Sequence, residues 1–232
     1  LIVGGYVMVG AILTNNSPVT LDKVTPIARL TGEYETIVVP AASDIKDMAG
    51  LVEKLKADPG AVSWAGGSAG GVDHITAGLI AKAVGVDPTK VNYIAFSGGG
   101  EALAAILGGQ VTVGISGYGE FESQIKAGQL RIIGISSNEK VEGIDAPTFK
   151  DAGVDVSIQN WRMVAAAPGL TDEQKAAVNA DIDKMVHSET WKKTLADKGW
   201  ADTYLAGDDF AKQLKADTDS TESILKDIGL VK

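Results

Sequence analysis

The sequence predicts an α/β protein with doubly wound sheets, and three observations support this. Short apolar strands alternate with amphipathic helices through the first 136 residues, a pattern typical of parallel strands joined by helical crossovers. Glycine-rich turns follow two of these strands and open helices. The last third of the chain is mostly helical, and such a tail often returns to cover an earlier domain.

Composition excludes several classes of protein. With 232 residues, of which 45% are hydrophobic, the chain can bury one sizeable core or two smaller ones. No apolar run approaches the roughly 20 residues that a membrane-spanning helix needs. The net charge of −9 argues against a nucleic-acid partner or an anionic membrane surface. Because cysteine is absent, a disulfide framework, thiol catalysis and zinc fingers are excluded.

At the N-terminus, the composition of residues 1–10 predicts a buried strand that runs into a glycine turn. No initiator methionine, basic region or cleavage site precedes this strand. We therefore expect that the natural protein has upstream residues, including a signal segment, that this sequence does not include. A second strand is expected at 35–40, where Pro40 ends it. A helix follows at 43–57, with its apolar residues on one side.

The middle of the chain repeats one local design twice. Val62–Ala65 and Val91–Phe96 read as strands, and each runs directly into a turn of glycine and serine. The remaining elements expected here are helices at 73–84, 101–107 and 121–127 and strands at 111–115 and 130–136.

The C-terminal third starts with a strand at 161–167 and continues with helices. Thr171 and Gln174 have the spacing of a capping box, and apolar residues recur behind them at helical spacing. A short helix ends near Gly199, and a long final helix follows. We expect domain I to comprise residues 1–36 and 160–232 and domain II residues 37–159, so that two crossover strands join the domains.

The two glycine-rich turns, Gly66–Gly71 and Ser97–Gly100, predict an anion site. Such a turn at a helix N-terminus leaves backbone N–H groups unpaired, with the positive end of the helix dipole behind them. One such turn alone is more often structural, because tight turns need glycine. Two in tandem favour a ligand that carries more than one negative group.

Alternative functions depend on Ser68 and His74. Residues 66–70 match the G-x-S-x-G elbow of α/β-hydrolases, but neither His74 nor His187 is well placed as a base for Ser68. His74 has two readings: a neutral imidazole bonded to the neighbouring loop, or a donor to a bound carboxylate. Asp73 with His74 is too little for a metal site. A clamp from Arg29 or Arg162 is possible, although amides and hydroxyls are the better candidates.

The segments around both turns carry a family resemblance. Ser63–His74 and Tyr93–Leu103, followed by Leu107–Val111 and Ile125–Arg131, closely resemble the periplasmic solute-binding subunits of tripartite tricarboxylate transporters, the TctC or Bug-type family. The resemblance extends along the whole chain, through motifs such as Asn160–Arg162. The resemblance implies that family members begin with a strand, a loop and a helix, and we expect this chain to start after them.

This resemblance implies a two-lobed fold of the type II periplasmic-binding-protein kind and a function in transport. The protein would capture a di- or tricarboxylate, with citrate expected, in a cleft between its lobes and deliver it to a membrane permease. It would be a periplasmic monomer without enzymatic activity or cofactor. A serine hydrolase using Ser68 and a ligand-sensing domain are the alternatives. The expected ligand-binding residues are Gly5, Tyr6, Ser68, Ala69, Gly70, Gly71, His74, Ser97, Gly98, Gly99, Gly100, Ser116, Tyr118 and Trp161.

Overall fold

The computed structural model describes residues 1–232, which form eight strands and eight α-helices. The strands are β1 (Ile2–Gly5), β2 (Thr25–Pro40), β3 (Ser63–Gly66), β4 (Asn92–Ala95), β5 (Val113–Gly117), β6 (Leu130–Ile135), β7 (Gln159–Ala166) and β8 (Ala201–Ala206). The helices are α1 (Tyr6–Thr14), α2 (Met48–Ala57), α3 (Val72–Ala83), α4 (Gly99–Leu107), α5 (Tyr118–Lys126), α6 (Asp172–Val186), α7 (Glu189–Lys198) and α8 (Gly207–Asp227). No helix in the structure is both long enough and apolar enough to cross a membrane.

The chain divides into two compact units. The first comprises residues 1–33 and 160–223, and the second comprises residues 34–159 and 224–232. The domain assignment drawn from the sequence, whose boundaries differ from these at 34–36 and 224–232, stays a prediction.

In the first unit, β7 lies between β1 and β2. β1 pairs antiparallel with β7, and β8 pairs antiparallel with β2. A core built on Ile27, Val164 and Val186 lies between this sheet and the helices. The expected buried strand over residues 1–10 is wrong, because β1 ends at Gly5 and Leu1 and Val3 are exposed.

In the second unit, β3 pairs in parallel with both β4 and β5. The second half of β2 pairs antiparallel with β5 and β6, so the sheet is mixed rather than wholly parallel. Its core includes Trp64, Leu51, Ile80 and Phe149, all fully buried. Because β3, β4 and β5 run in the same direction, their carboxyl ends lie at one edge of the sheet, where ligands of open α/β sheets bind.

One helix boundary differs clearly from the expected one. α2 begins at Met48 rather than at 43, because the Asp47 carboxylate accepts a hydrogen bond from the Gly50 N–H at 2.8 Å and so caps the helix there. Ser43 instead belongs to the preceding turn, in which its own N–H donates to the Pro40 carbonyl.

Candidate functional site

Three helices in the second unit begin directly after parallel strands and have uncapped N-termini. The N-cap residues of α3, α4 and α5 are Gly71, Gly98 and Gly117, and none supplies a side chain to the first turn. By contrast, side chains of Asp47 and Thr171 cap α2 and α6. The amides at the start of α3, α4 and α5 therefore have no side-chain acceptor at the N-cap, and the helix dipoles favour negative charge beside them.

The first of these connections is the 66–71 loop, which joins β3 to α3. Its shape depends on Gly70, whose φ of +74° is in the left-handed region, and on a turn in which the Gly71 N–H donates to the Ser68 carbonyl at 2.9 Å. Ser68 and Ala69 form the exposed tip of this loop. The backbone N–H groups of these two residues make no hydrogen bond within the chain, so they remain available to an anion.

The amides on either side of the tip are already used within the protein. The Gly67 N–H donates to Asp73 Oδ2 at 2.6 Å, and the Gly70 N–H donates to His74 Nδ1 at 3.2 Å. Predicted ligand residue Gly70 therefore holds the loop together and does not offer its amide. The sequence pattern of the turn alone gave no sign of these two internal bonds.

His74 is a neutral imidazole in this arrangement. Since its Nδ1 accepts the Gly70 N–H, the ring proton lies on Nε2. The ring stacks on Tyr93 with centroids 4.1 Å apart, and burial lowers the pKa of His74 to about 4. The Tyr93 hydroxyl in turn donates to the Gly67 carbonyl at 2.8 Å. His74 therefore braces the loop, and its Nε2–H is the one ring donor left for a ligand.

The second connection, Ser97–Gly100, lies beside the first because the Phe96 N–H donates to the Gly66 carbonyl at 2.9 Å. The Ser97 N–H donates to Glu101 Oε2 at 3.0 Å, so this amide is also used internally. The N–H groups of Gly98 and Gly99 form no hydrogen bond within the chain. A Cβ on Gly99 would lie 2.8 Å from Glu120 Cγ, so the close approach of α5 requires glycine there.

The third connection leads from β5 into α5 and carries Ser116 and Tyr118. Ser116 is buried at the end of β5, and its carbonyl accepts the Thr36 hydroxyl at 3.0 Å. Tyr118 is the half-buried first residue of α5. The structure therefore brings Ser116, Tyr118 and both glycine-rich turns to one edge of the second unit.

The three predicted residues of the first unit lie in its interior. Tyr6 is buried, its hydroxyl pairs with the Thr221 hydroxyl at 3.0 Å, and its ring packs edge-on against buried Trp161. Gly5 is the N-cap of α1, where a Cβ would lie 2.5 Å from the Trp161 carbonyl oxygen. Packing within the first unit accounts for all three residues, and their role as ligand contacts stays a prediction.

The arginines considered for a clamp both belong to the first unit and have partners there. Arg29 Nε donates to the Thr203 carbonyl at 2.8 Å, and Arg162 Nη2 lies 3.5 Å from Glu33 Oε1. Neither guanidinium belongs to the cluster of glycine-rich turns in the second unit. Within the second unit itself, amides and hydroxyls are the candidate anion-binding groups of these turns.

A cavity of about 490 Å³ in the first unit has different chemistry. Its lining includes Val9, Leu13 and Leu214, and its single lysine, Lys215, pairs with Asp219 at 2.7 Å. An apolar lining whose one cation is already neutralised does not suit a ligand with several carboxylates.

Two buried carboxyl groups beside the 66–71 loop were not foreseen from the sequence. Asp73 on α3 and Glu35 on β2 are both buried, and their side chains share a hydrogen bond. Residues 38 positions apart on a helix and a strand give no periodic signal that would pair them. Only the fold brings them together.

Fold and loop geometry together define an α/β domain in which three uncapped helix N-termini lie at one edge of a sheet. The sequence model of the tripartite tricarboxylate transporter family receptor, TctC, matches residues 11–230. The chain belongs to this family. This is a family of receptors, which confirms the expectation of a binding protein rather than an enzyme.

Curated relatives are distant and longer than this chain. A protein of Cupriavidus necator named "UPF0065 protein in gbd 5'region" is 25% identical over 210 residues, covering 89% of this chain and 62% of its own length. Protein BugT of Bordetella pertussis is 24% identical over 181 residues, covering 77% and 55% respectively. The chain thus spans between about half and three fifths of the length of these relatives.

Solved structures share the fold. A TctC solute-binding protein from Polaromonas superposes with a TM-score of 0.79 at 22% identity, covering 97% of this chain and 76% of its own. MatC from Rhodopseudomonas palustris, solved with bound malate, gives 0.78 at 21% identity, covering 96% and 78%. A second R. palustris protein, solved with adipate, gives 0.76 at 18% identity, covering 89% and 69%. These likenesses confirm the predicted periplasmic-binding-protein-like α/β fold.

Proposed function

We propose that the protein is a periplasmic receptor that captures a small di- or tricarboxylate and delivers it to a membrane permease. One observation carries this proposal: three glycine-capped helix N-termini, those of α3, α4 and α5, converge at one edge of the second unit in a chain of the TctC family. Each N-terminus can donate backbone N–H groups to a carboxylate.

Within this edge we assign the direct contacts to the amides of Ser68, Ala69, Gly98 and Gly99, because these N–H groups make no hydrogen bond within the chain. Hydroxyls of Ser68 and Ser97, which are exposed, and the His74 Nε2–H complete the donor set. Hydrogen bonds to a charged group contribute about 1.5–3 kcal/mol each. Four or five of them suffice for micromolar affinity after the cost of association.

The proposed ligand class rests on charge and on the neighbours. Donors at two separate loops suit a molecule with two or more carboxylates, and structural neighbours were solved with malate and with adipate. We propose citrate as the ligand of this chain. The net charge of −9 means that the ligand is captured by local donors against the field of the whole protein.

A thermal-shift panel tests this proposal. Citrate, malate and adipate are each added to the purified protein, with the uncharged polyol sorbitol as control. A ligand at 100 times its dissociation constant stabilises the folded state by about 2.7 kcal/mol, which corresponds to roughly 5–10 °C in a protein of this size. A rise with a carboxylate and none with sorbitol supports the proposal. No rise with any carboxylate, together with no heat of binding in calorimetry, contradicts it.

A further inference from the structure

The feature from which we argue is the buried carboxyl pair beside the 66–71 loop. Glu35 is fully buried and Asp73 is 7% exposed. Their carboxyl groups share a hydrogen bond, and two carboxyl groups can do so only when one of them carries a proton. The pair thus holds at least one proton.

Asp73 also connects this pair to the loop. Its Oδ2 accepts the Gly67 N–H at 2.6 Å, one residue before the exposed tip at Ser68. A Cβ on Gly66 would lie 2.9 Å from Asp73 Cβ and 2.4 Å from the Tyr93 hydroxyl, so the start of the loop is packed tightly against both side chains. Asp73 therefore fixes where the tip amides point.

Glu35 is fixed independently of the loop. It lies on β2 opposite Gly117 of β5. Its N–H donates to Ser136 Oγ at 2.9 Å, while its carbonyl accepts the Ser136 N–H at 2.8 Å. Ser136 Oγ donates in turn to the Ile158 carbonyl at 2.6 Å. Backbone and neighbouring groups thus hold Glu35 in place, and the shared proton links it to Asp73 and, through Asp73, to the loop.

Burial, the largest influence on the pair, favours the protonated state, while the hydrogen bonds that Asp73 makes with the Gly67 N–H and with Glu35 oppose it. Burial raises the pKa of Asp73, with the nearby Glu120 carboxylate on α5 adding to the rise, while the Gly67 hydrogen bond opposes it. Burial, with Asp73 and Glu35 nearby, also raises the pKa of Tyr93 on β4, so its hydroxyl stays neutral. His74 on α3 is neutral as well, because burial lowers its pKa to about 4.

We infer that Glu35 and Asp73 are positioning residues that share one proton, and that this proton holds the 66–71 loop in its ligand-binding form. The identity of the ligand in this inference rests on the proposed function, whereas the sharing of the proton does not. A raised pKa of a carboxyl in the folded state means that its contribution is complete at low pH and is lost as the pH rises through that value. When the proton leaves, two buried negative charges repel each other, Asp73 moves, and the loop loses its anchor.

The test compares the wild-type protein with Glu35→Gln, whose side-chain amide donates to Asp73 without titrating. Glu142→Gln is the matched control, since Glu142 is an exposed carboxylate of the same unit. The first readout is the Gly67 amide resonance in ¹H–¹⁵N spectra across the whole pH range in which the protein stays folded. We expect it to titrate in the wild type and in Glu142→Gln and to stay constant in Glu35→Gln. A protonated-carboxyl band in the infrared spectrum should likewise be lost only in Glu35→Gln.

The second readout is affinity for malate, which is fully ionised across the upper part of this range. Above the pKa of the pair, wild-type affinity should fall by about tenfold per pH unit, as expected for one linked proton, whereas Glu35→Gln keeps its affinity. Equal pH profiles of the Gly67 resonance in wild type and Glu35→Gln would overturn the inference. If neither malate nor citrate binds any variant, the proposed function fails, while the Gly67 resonance and the infrared band still decide whether the proton is shared.

Discussion

Replacing Gly70 by alanine is the most informative perturbation of the 66–71 loop. At a φ of +74°, an alanine side chain costs about 1–2 kcal/mol. In a protein of this size that cost lowers the melting temperature by roughly 2–8 °C. The loop can relieve the strain only by leaving the left-handed conformation, which moves the neighbouring Ser68 and Ala69 amides away from the ligand.

The expected loss of affinity follows from those amides. Losing one charge-assisted hydrogen bond of about 1.5–3 kcal/mol weakens binding by a factor of roughly ten to more than a hundred. Gly128→Ala is the matched control, because Gly128 has a φ of +69° in the turn between α5 and β6, with no atom within 4 Å of an added Cβ. It should cost similar stability and leave affinity unchanged. Calorimetry with citrate measures both variants, and equal affinity in Gly70→Ala and wild type would refute the assignment of the loop to the site.

Two further predictions concern His74 and Ser68. Burial lowers the pKa of His74 from 6.5 to about 4, so the neutral ring stabilises the folded state fully above pH 6.5. This stabilisation, of up to about 3 kcal/mol, is lost as the pH falls towards 4. Urea unfolding from pH 7 to 4.5 should show this loss in the wild type and much less of it in His74→Asn, and identical profiles would contradict it. Ser68 should not react with a serine-directed fluorophosphonate, because neither histidine is bonded to its hydroxyl. Mass spectrometry measures the labelling, and stoichiometric labelling at Ser68 would support the hydrolase alternative.

Local sequence patterns predicted the elements of the second unit well. Glycine–serine turns after strands and apolar residues at helical spacing are determined by neighbours in sequence, and the structure contains the strands and helices that they indicate. In the first unit, the capping box of Thr171 and Gln174 is likewise present at the start of α6. Errors arose where a side chain decided the boundary, as Asp47 does for α2. The short, exposed β1 was misjudged because its apolar composition suggests burial, whereas it lies at the edge of its sheet.

The candidate site was only partly predictable for the same reason. The meeting of the two turns could be predicted, because the carboxyl ends of neighbouring parallel strands lie at the same edge of a sheet. The amides that remain free could not be predicted from the sequence. Asp73, His74 and Glu101 each accept a hydrogen bond from one loop amide, and these bonds depend on side-chain geometry. The pairing of Glu35 with Asp73 depends on tertiary structure alone.

The most direct test of the central claim is a titration of the ¹⁵N-labelled protein with citrate, followed through the backbone amide resonances. The account predicts saturable shifts concentrated at Ser68, Ala69, Gly98 and Gly99, because these amides are free to donate to a carboxylate. Saturable shifts that leave these four amides unmoved and cluster instead around the apolar cavity of the first unit, beside Leu13 and Leu214, would contradict it.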